Sequence, residues 1–192
     1  MTDIAPAPTA ATARFTAMDH STADEWGIIG AAHVEDWPRV ADTILEMLQR
    51  LGGVQVGFVT DQLTHSLQTA TRAEEAGMDD EVVVASLCHD IGKFISIANH
   101  PHIAAEILKP YVREEVYFMI DAHQDFQGKH YYAHFQKDSN ARDQYREHAW
   151  YDLAAKFADE FDQNSFDPDY PTQPLEHFEP MVRRIFAAPH SM

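Results

Sequence analysis

Cysteine occurs once in the 192-residue chain, at Cys88, so no disulfide can form within it. Cys88 closes the apolar run 82–88 and reads as a small core residue, with a reactive thiol as the distant second reading. Basic residues are scarce: 14 Lys and Arg stand against 31 Asp and Glu, a formal net charge of -17. Such a surface repels phosphate backbones, so no nucleic-acid partner is expected. A basic amphipathic helix for a membrane surface is missing too. No apolar stretch is long enough to span a bilayer. Residues 1–14 are rich in Ala, Pro and Thr and lack the charged start and apolar centre of a secretory signal. They are expected to form a disordered tail on a cytoplasmic protein. Sustained strand alternation is lacking, and β-branched runs such as Val82-Val83-Val84 are short.

What is present is 45% hydrophobic residues and many helix formers. The expectation is an all-α single domain over 15–192, with no internal repeat and no separating linker. Ser21, with Asp24 and Glu25 behind it, predicts a helix start running to about residue 33. Trp37-Pro38 opens a second helix, which Gly52-Gly53 ends. After an irregular segment at 54–60, helices are predicted at 61–75, with Gly77 as cap, and from Asp79 to His89-Asp90. Others follow after His100-Pro101, over about 110–125, over 141–161 as one long helix, and over 175–186. Residues 128–140 read as a polar, aromatic loop.

Twelve histidines are too many to read singly. The strongest local signal is Leu87-Cys88-His89-Asp90-Ile91-Gly92-Lys93, where an apolar helix ends abruptly in a histidine and an aspartate. Burying both without partners would cost several kcal/mol, on the order of 2–7 for each polar group. A metal ion resolves this, because imidazole offers a neutral nitrogen and carboxylate two anionic oxygens that can bridge two ions. Further candidate groups sit on neighbouring predicted elements: His65, His100, His123 and Asp162. His102 competes with His100 from a different helix face. Asp167 competes with Asp162, but it precedes a proline and suits a turn. His130, His134 and His148 lie in polar surroundings and read as solvated, with the first two placed to line a site.

This set resembles the HD-domain superfamily over roughly residues 55–186, with two extra N-terminal helices. The resemblance implies a helical bundle with one metal on His65, His89, Asp90 and Asp162. It implies a second metal on Asp90, His100 and His123, with Asp90 as the bridge. The run His100-Pro101-x-x-Ala104-Ala105-x-Ile107-Leu108 is similar to the family's second-metal helix. Most such proteins are phosphohydrolases, and a metal-dependent phosphohydrolase acting on a nucleotide or other phosphate ester is the alternative reading. A smaller branch, myo-inositol oxygenase and the hydroxyphosphonate dioxygenases, uses a mixed-valent Fe(II)/Fe(III) pair and O2 to cleave C–C or C–P bonds. Three features resemble that branch: the stretch 61–70 around His65, the ending from Phe161-Asp162 to Pro180, and the complete set in one short domain. The resemblance implies two iron ions, with Mn or other divalent metals also admitted by these ligands. It implies O2 and a small, hydroxylated, anionic substrate of hydroxyphosphonate or polyol type. Lys93 and Lys129 are the implied substrate-binding cations, Lys93 also a catalytic residue beside the bridging Asp90. The places of a tyrosine and a glutamate in the phosphonate enzymes hold Gln55 and Phe58, and that of a phosphonate-contacting arginine holds Asp159. These departures set aminophosphonate aside. Met18, Asp19, Trp26 and His33 are candidates for other specificity groups or a lid.

Overall fold

A computed structural model describes residues 11–190, all of them helical, turn or irregular. Most of the expected tail, residues 1–10, lies outside the described residues. From residue 14 the chain is tied down, because the N–H groups of Arg14 and Phe15 donate to Glu25 Oε1. Helix α1 (Ala23–Asp36) starts one residue later than expected, with Thr22 as N-cap in a reciprocal box with Glu25. None of its residues is buried. Trp26, expected near a site, instead stacks on Phe15 at 5.8 Å and donates to Ser21 Oγ. Met18 is 73% exposed.

Helix α2 (Pro38–Leu51) turns Ala41, Ile44, Leu45, Leu48 and Leu51 inward, an amphipathic spacing that accounts for its place against the core. Helix α3 (Gln62–Glu75) begins at the Asp61 cap, and Gly77 at φ +72 carries the chain out of it. Helix α4 (Asp80–Cys88) is capped by Asp79 and buried along Val82–Cys88, so it forms the central rod. Cys88 is fully buried there, and burial pushes its thiol up to about 12, which leaves it inert. Helices α5 (His100–Leu108) and α6 (Glu114–Asp121) follow.

Three expectations are corrected. The helix expected over 110–125 is two, α6 ending at Asp121 and α7 (His123–Tyr131) starting anew after Ala122 (φ -95, ψ -1). The loop expected from residue 128 starts later. Helix α7 runs through Gly128, where a Cβ would come within 2.6 Å of the Tyr132 ring. The long helix expected over 141–161 is broken into a 3-10 segment (Ala141–Tyr145), α8 (Tyr151–Lys156) and a π turn (Phe157–Phe161). The Tyr145 hydroxyl donates to Asp125 Oδ2 at 3.0 Å, which ties the 3-10 segment to α7. Helix α9 (Leu175–Ile185) closes the domain, with Phe178 and Val182 buried. No helix among the described residues is long and apolar enough to cross a membrane.

Candidate metal centre

The six expected groups come from five different elements and meet in the core. His65 (α3), His89 and Asp90 (after α4), His100 (start of α5), His123 (start of α7) and Asp162 (after the π turn) are each 0–5% exposed. The ligand atoms of His65, His89 and Asp162 lie within 4.8 Å of one another, as do those of His89, Asp90 and His123.

Backbone carbonyls orient all four imidazoles. His89 Nδ1 is 2.8 Å from Ser86 O, His100 Nδ1 is 2.7 Å from Ile97 O, and His123 Nδ1 is 2.7 Å from Ile120 O. A carbonyl only accepts, so each Nδ1 carries the proton and each Nε2 is left as a lone pair or a second N–H. In each case the carbonyl lies three residues back. Each ring takes an oxygen that a continuing helix would offer to the N–H one residue beyond the histidine. That competition accompanies the end of α4 at Cys88 and the break at Ala122. At His100 the oxygen lacks a helical donor, because Pro101 has no N–H. His65 is different: its Nδ1 donates at 2.8 Å to Ser165 O, a hundred residues on, which fastens α3 to the segment after Asp162.

With the four Nδ1 positions so used, the Nε2 atoms converge. His65 Nε2 and His89 Nε2 are 3.1 Å apart. Asp90 Oδ2 faces both at 3.4 Å, whereas Asp90 Oδ1 faces His100 Nε2 at 3.1 Å and His123 Nε2 at 3.8 Å. The one carboxylate therefore divides the four imidazoles into two pairs. Asp162 Oδ1 joins the first pair, 3.2 Å from His65 and 3.6 Å from His89. Asp90 Oδ1 and Asp162 Oδ2 have no hydrogen-bond donor among the described residues. Lone pairs facing one another at such distances need a cation between them. Without a metal, a proton serves. Burial works against charge on His89, but Asp90 and Asp162 outweigh it and raise its pKa to about 10. Burial and the charge on His89 push His123 down to about 3. Burial opposes ionisation of both carboxylates, yet His89 and Lys93 hold Asp90 well below the usual range, and His89 and His65 lower Asp162. Orphaned oxygens, converging imidazole nitrogens and a trapped proton all fit divalent metal ions.

The competitors lie elsewhere. His102 is exposed and paired with Asp121 at 2.5 Å. Asp167 accepts from Asp169 N–H in a turn. His130 pairs with Asp159, and His148 stacks on Trp150. Lys93 adjoins the cluster, its Nζ 2.5 Å from Asp90 Oδ2 and 2.8 Å from Gln62 Oε1. A 3-10 turn (Ile91–Phe94) follows Asp90, and its three-residue repeat sets Lys93 over Asp90. Lys129 is not brought to the cluster. Its half-exposed ammonium pairs with Asp159 Oδ2 at 3.1 Å, and Asp159 also binds Arg142 and His130. Phe58 stacks on Phe166, and Phe166 on His65 at 4.3 Å, so this side of the cluster is walled by aromatic rings. Sequence reasoning missed three neighbours. Gln127 donates to Asp162 Oδ1 at 2.9 Å, Gln62 holds Lys93, and Phe166 covers His65. A signal existed only for Gln127, one helical turn after His123.

Residues 63–164 match the family model of the HD domain, slightly over half of the chain. The chain belongs to the HD-domain family. Metal-dependent hydrolases and oxygenases share that fold, and the buried His/Asp groups here can hold a metal. An uncharacterized protein of Acanthamoeba polyphaga mimivirus is 36% identical over 59 residues, which are 30% of this chain and 27% of that protein. The chain thus spans less than a third of that relative's length.

Proposed function

We propose that this HD-domain protein is a dinuclear, non-haem iron oxygenase acting with O2 on a small, hydroxylated, anionic metabolite. The observation that carries the reading is the division of four imidazoles into two pairs by the two oxygens of Asp90. His65, His89, Asp90 and Asp162 would hold one ion, and Asp90, His100 and His123 the other. When bound, an iron pair supplies one-electron chemistry with dioxygen, leading to oxidative C–C or C–P cleavage.

The chain's own residues hold, orient and shield. Asp90 carries negative charge to both sites, and Gln127 fixes the carboxylate plane of Asp162 through its amide. Lys93 would bind the anionic or hydroxyl group of the substrate while its contact with Asp90 holds it beside the cluster. The rings of Phe58 and Phe166 keep water from His65. The chain's own cations favour this class over a polyphosphate, which draws on side-chain cations in addition to metal ions around the transferring group. Here Lys93 alone adjoins the cluster among the lysines and arginines of the described residues, while Lys129 and Arg142 are engaged by Asp159.

Iron-loaded protein, purified without oxygen and then partly oxidised, tests the reading. The expected result is about two irons per chain, the low-temperature EPR signal of a coupled Fe(II)/Fe(III) pair, and oxygen uptake tied to loss of a hydroxylated phosphonate, acid or polyol. Phosphate release from esters under Mn, Co or Mg, with no oxygen uptake, would replace it with a phosphohydrolase.

A further inference from the structure

Gln62 opens α3 with its residue fully buried, and its Oε1 accepts from Lys93 Nζ at 2.8 Å. An ammonium has donors alone, so this carboxamide cannot be turned round: oxygen faces Lys93 and Nε2 faces away. That Nε2 has no acceptor among the described residues. A buried donor left unmet is costly, and natural interiors keep few of them. Lys93, with its side chain 12% exposed, gives one proton to Gln62 and one to Asp90 Oδ2, which leaves a third. Lys93 thus keeps one unspent donor next to the bridging carboxylate, and the unspent Nε2 of Gln62 lies one carboxamide away from it, across Oε1. Phe58, 44% exposed and 5.8 Å from Nζ at its ring centre, forms their outer cover.

We infer that Gln62 and Lys93 form a donor pair for one small oxyanion, a carboxylate or a phosphonate, with Gln62 Nε2 the fixed contact and Lys93 the charge. The inference deepens the proposed function, on which it rests for the anion's carrier lying over Asp90. Gln62 then decides between substrates. A group with two oxygens meets both donors, whereas a bare hydroxyl meets one and leaves the amide unmet.

The test is a titration of zinc-loaded protein with glycolate and, separately, hydroxymethylphosphonate, followed through the side-chain amide signals of Gln62 in 15N spectra. Those signals are assigned by their loss in Gln62→Met. Saturable movement of the Gln62 amide by one of the two anions is expected, and the responding anion tells carboxylate from phosphonate. Gln62→Met and Gln62→Glu should weaken that binding about tenfold or more, with zinc content unchanged. Gln62→Glu retains an acceptor for Lys93, so it keeps the packing while reversing the donor. Gln62 signals that neither anion moves, or variants that bind as the parent does, would overturn the inference. Should both variants fail to fold, through-bond side-chain spectra of the parent protein assign the Gln62 amide, and its titration decides alone. Zinc performs no oxygen chemistry, so a negative result here leaves the oxygenase reading standing. Absence of oxygen uptake by the iron form leaves this one.

Discussion

Replacing Gly92 by alanine should unseat His100 and cost the protein its second metal ion. A Cβ at Gly92 would lie 2.4 Å from His100 O and 2.7 Å from its Cα. Both are backbone atoms, so no side-chain rotation relieves the clash. Ordinary contact begins at 3.4 Å; the start of α5 must therefore retreat by about 1 Å, or the 3-10 turn that carries Asp90 and Lys93 must. Either movement opens the 3.1 Å approach of His100 Nε2 to Asp90 Oδ1. Overpacking of this kind costs about 1–3 kcal/mol. For a chain of this length that is a fall of roughly 4–8 °C in Tm at the middle of the range. Calorimetry of metal-free protein reads the first effect, and metal analysis after loading and desalting reads the second, expected to drop from about two ions to one. Gly27→Ala is the matched control, since nothing lies within 4 Å of its Cβ. It sits inside α1, where alanine is favoured by about 0.5–1 kcal/mol. A Gly92→Ala protein with the parental Tm and two tightly held ions would refute the reasoning.

Asp90→Asn should weaken both metal sites at once, by about a hundredfold or more; equilibrium dialysis showing one site untouched would break the idea of a shared carboxylate. At pH 7 His89 lies below its raised pKa of about 10 and keeps its proton in metal-free protein, whereas a metal takes only the neutral ring. Loading should therefore release about one proton at this site and strengthen as pH rises toward that value. Calorimetric titrations in buffers of different ionisation enthalpy measure this, and identical heats would contradict it. The same shift makes His89 a stabilising group of metal-free protein. The contribution is complete below the ordinary histidine value of 6.5 and is lost as pH rises through about 10, so with chelator present the Tm should fall over that window. Lys129→Ala should change KM for the eventual substrate by less than about threefold, since the ammonium is spent on Asp159 at the surface. Lys93→Ala should raise it about tenfold or more, and the reverse ranking would reinstate Lys129 as a substrate contact.

Caps and breakers made most elements legible in advance. Asp61, Asp79 and Pro38 mark starts, and Gly77 marks an end, through local chemistry that no packing overrides. The missed boundaries fall where tertiary contacts compete with the helix. Ala122 breaks a run of good helix formers, and the adjacent His123 ring takes Ile120 O, an event invisible in composition. The long helix over 141–161 yields to aromatic packing among Tyr145, His148 and Trp150 and to the tether on Asp125. His89 and Asp90 were readable from the abrupt end of an apolar helix, whereas His65, His100, His123 and Asp162 were set apart from their competitors by the resemblance to the HD superfamily. Gln62 and Phe166 were not, because a glutamine near a helix start and a phenylalanine in a loop carry no chemical signature until the fold sets them against Lys93 and His65.

That contrast follows from what orients the cluster. The supports of its four imidazoles are main-chain oxygens of Ser86, Ile97, Ile120 and Ser165, which any side chain at those positions would supply. The cluster is therefore specified by the fold and by the ligands, with little demand on the residues between them. The groups that would meet a substrate, Lys93, Gln62 and Phe58, are side chains beside it, and exchanging them disturbs no imidazole support. One scaffold can in this way keep its metals while its substrate changes. The places held here by Gln55, Phe58 and Asp159 are where this chain departs from the phosphonate enzymes it resembles, and all lie outside the six. Asp159 makes the point most sharply. A carboxylate standing where an arginine would draw in a phosphonate instead consumes Lys129, His130 and Arg142. The positive charge left beside the cluster is that of Lys93. That ammonium is itself paired with Asp90, so an anion drawn to the cluster would be neutralised chiefly by the metal ions, with Lys93 as a directional donor.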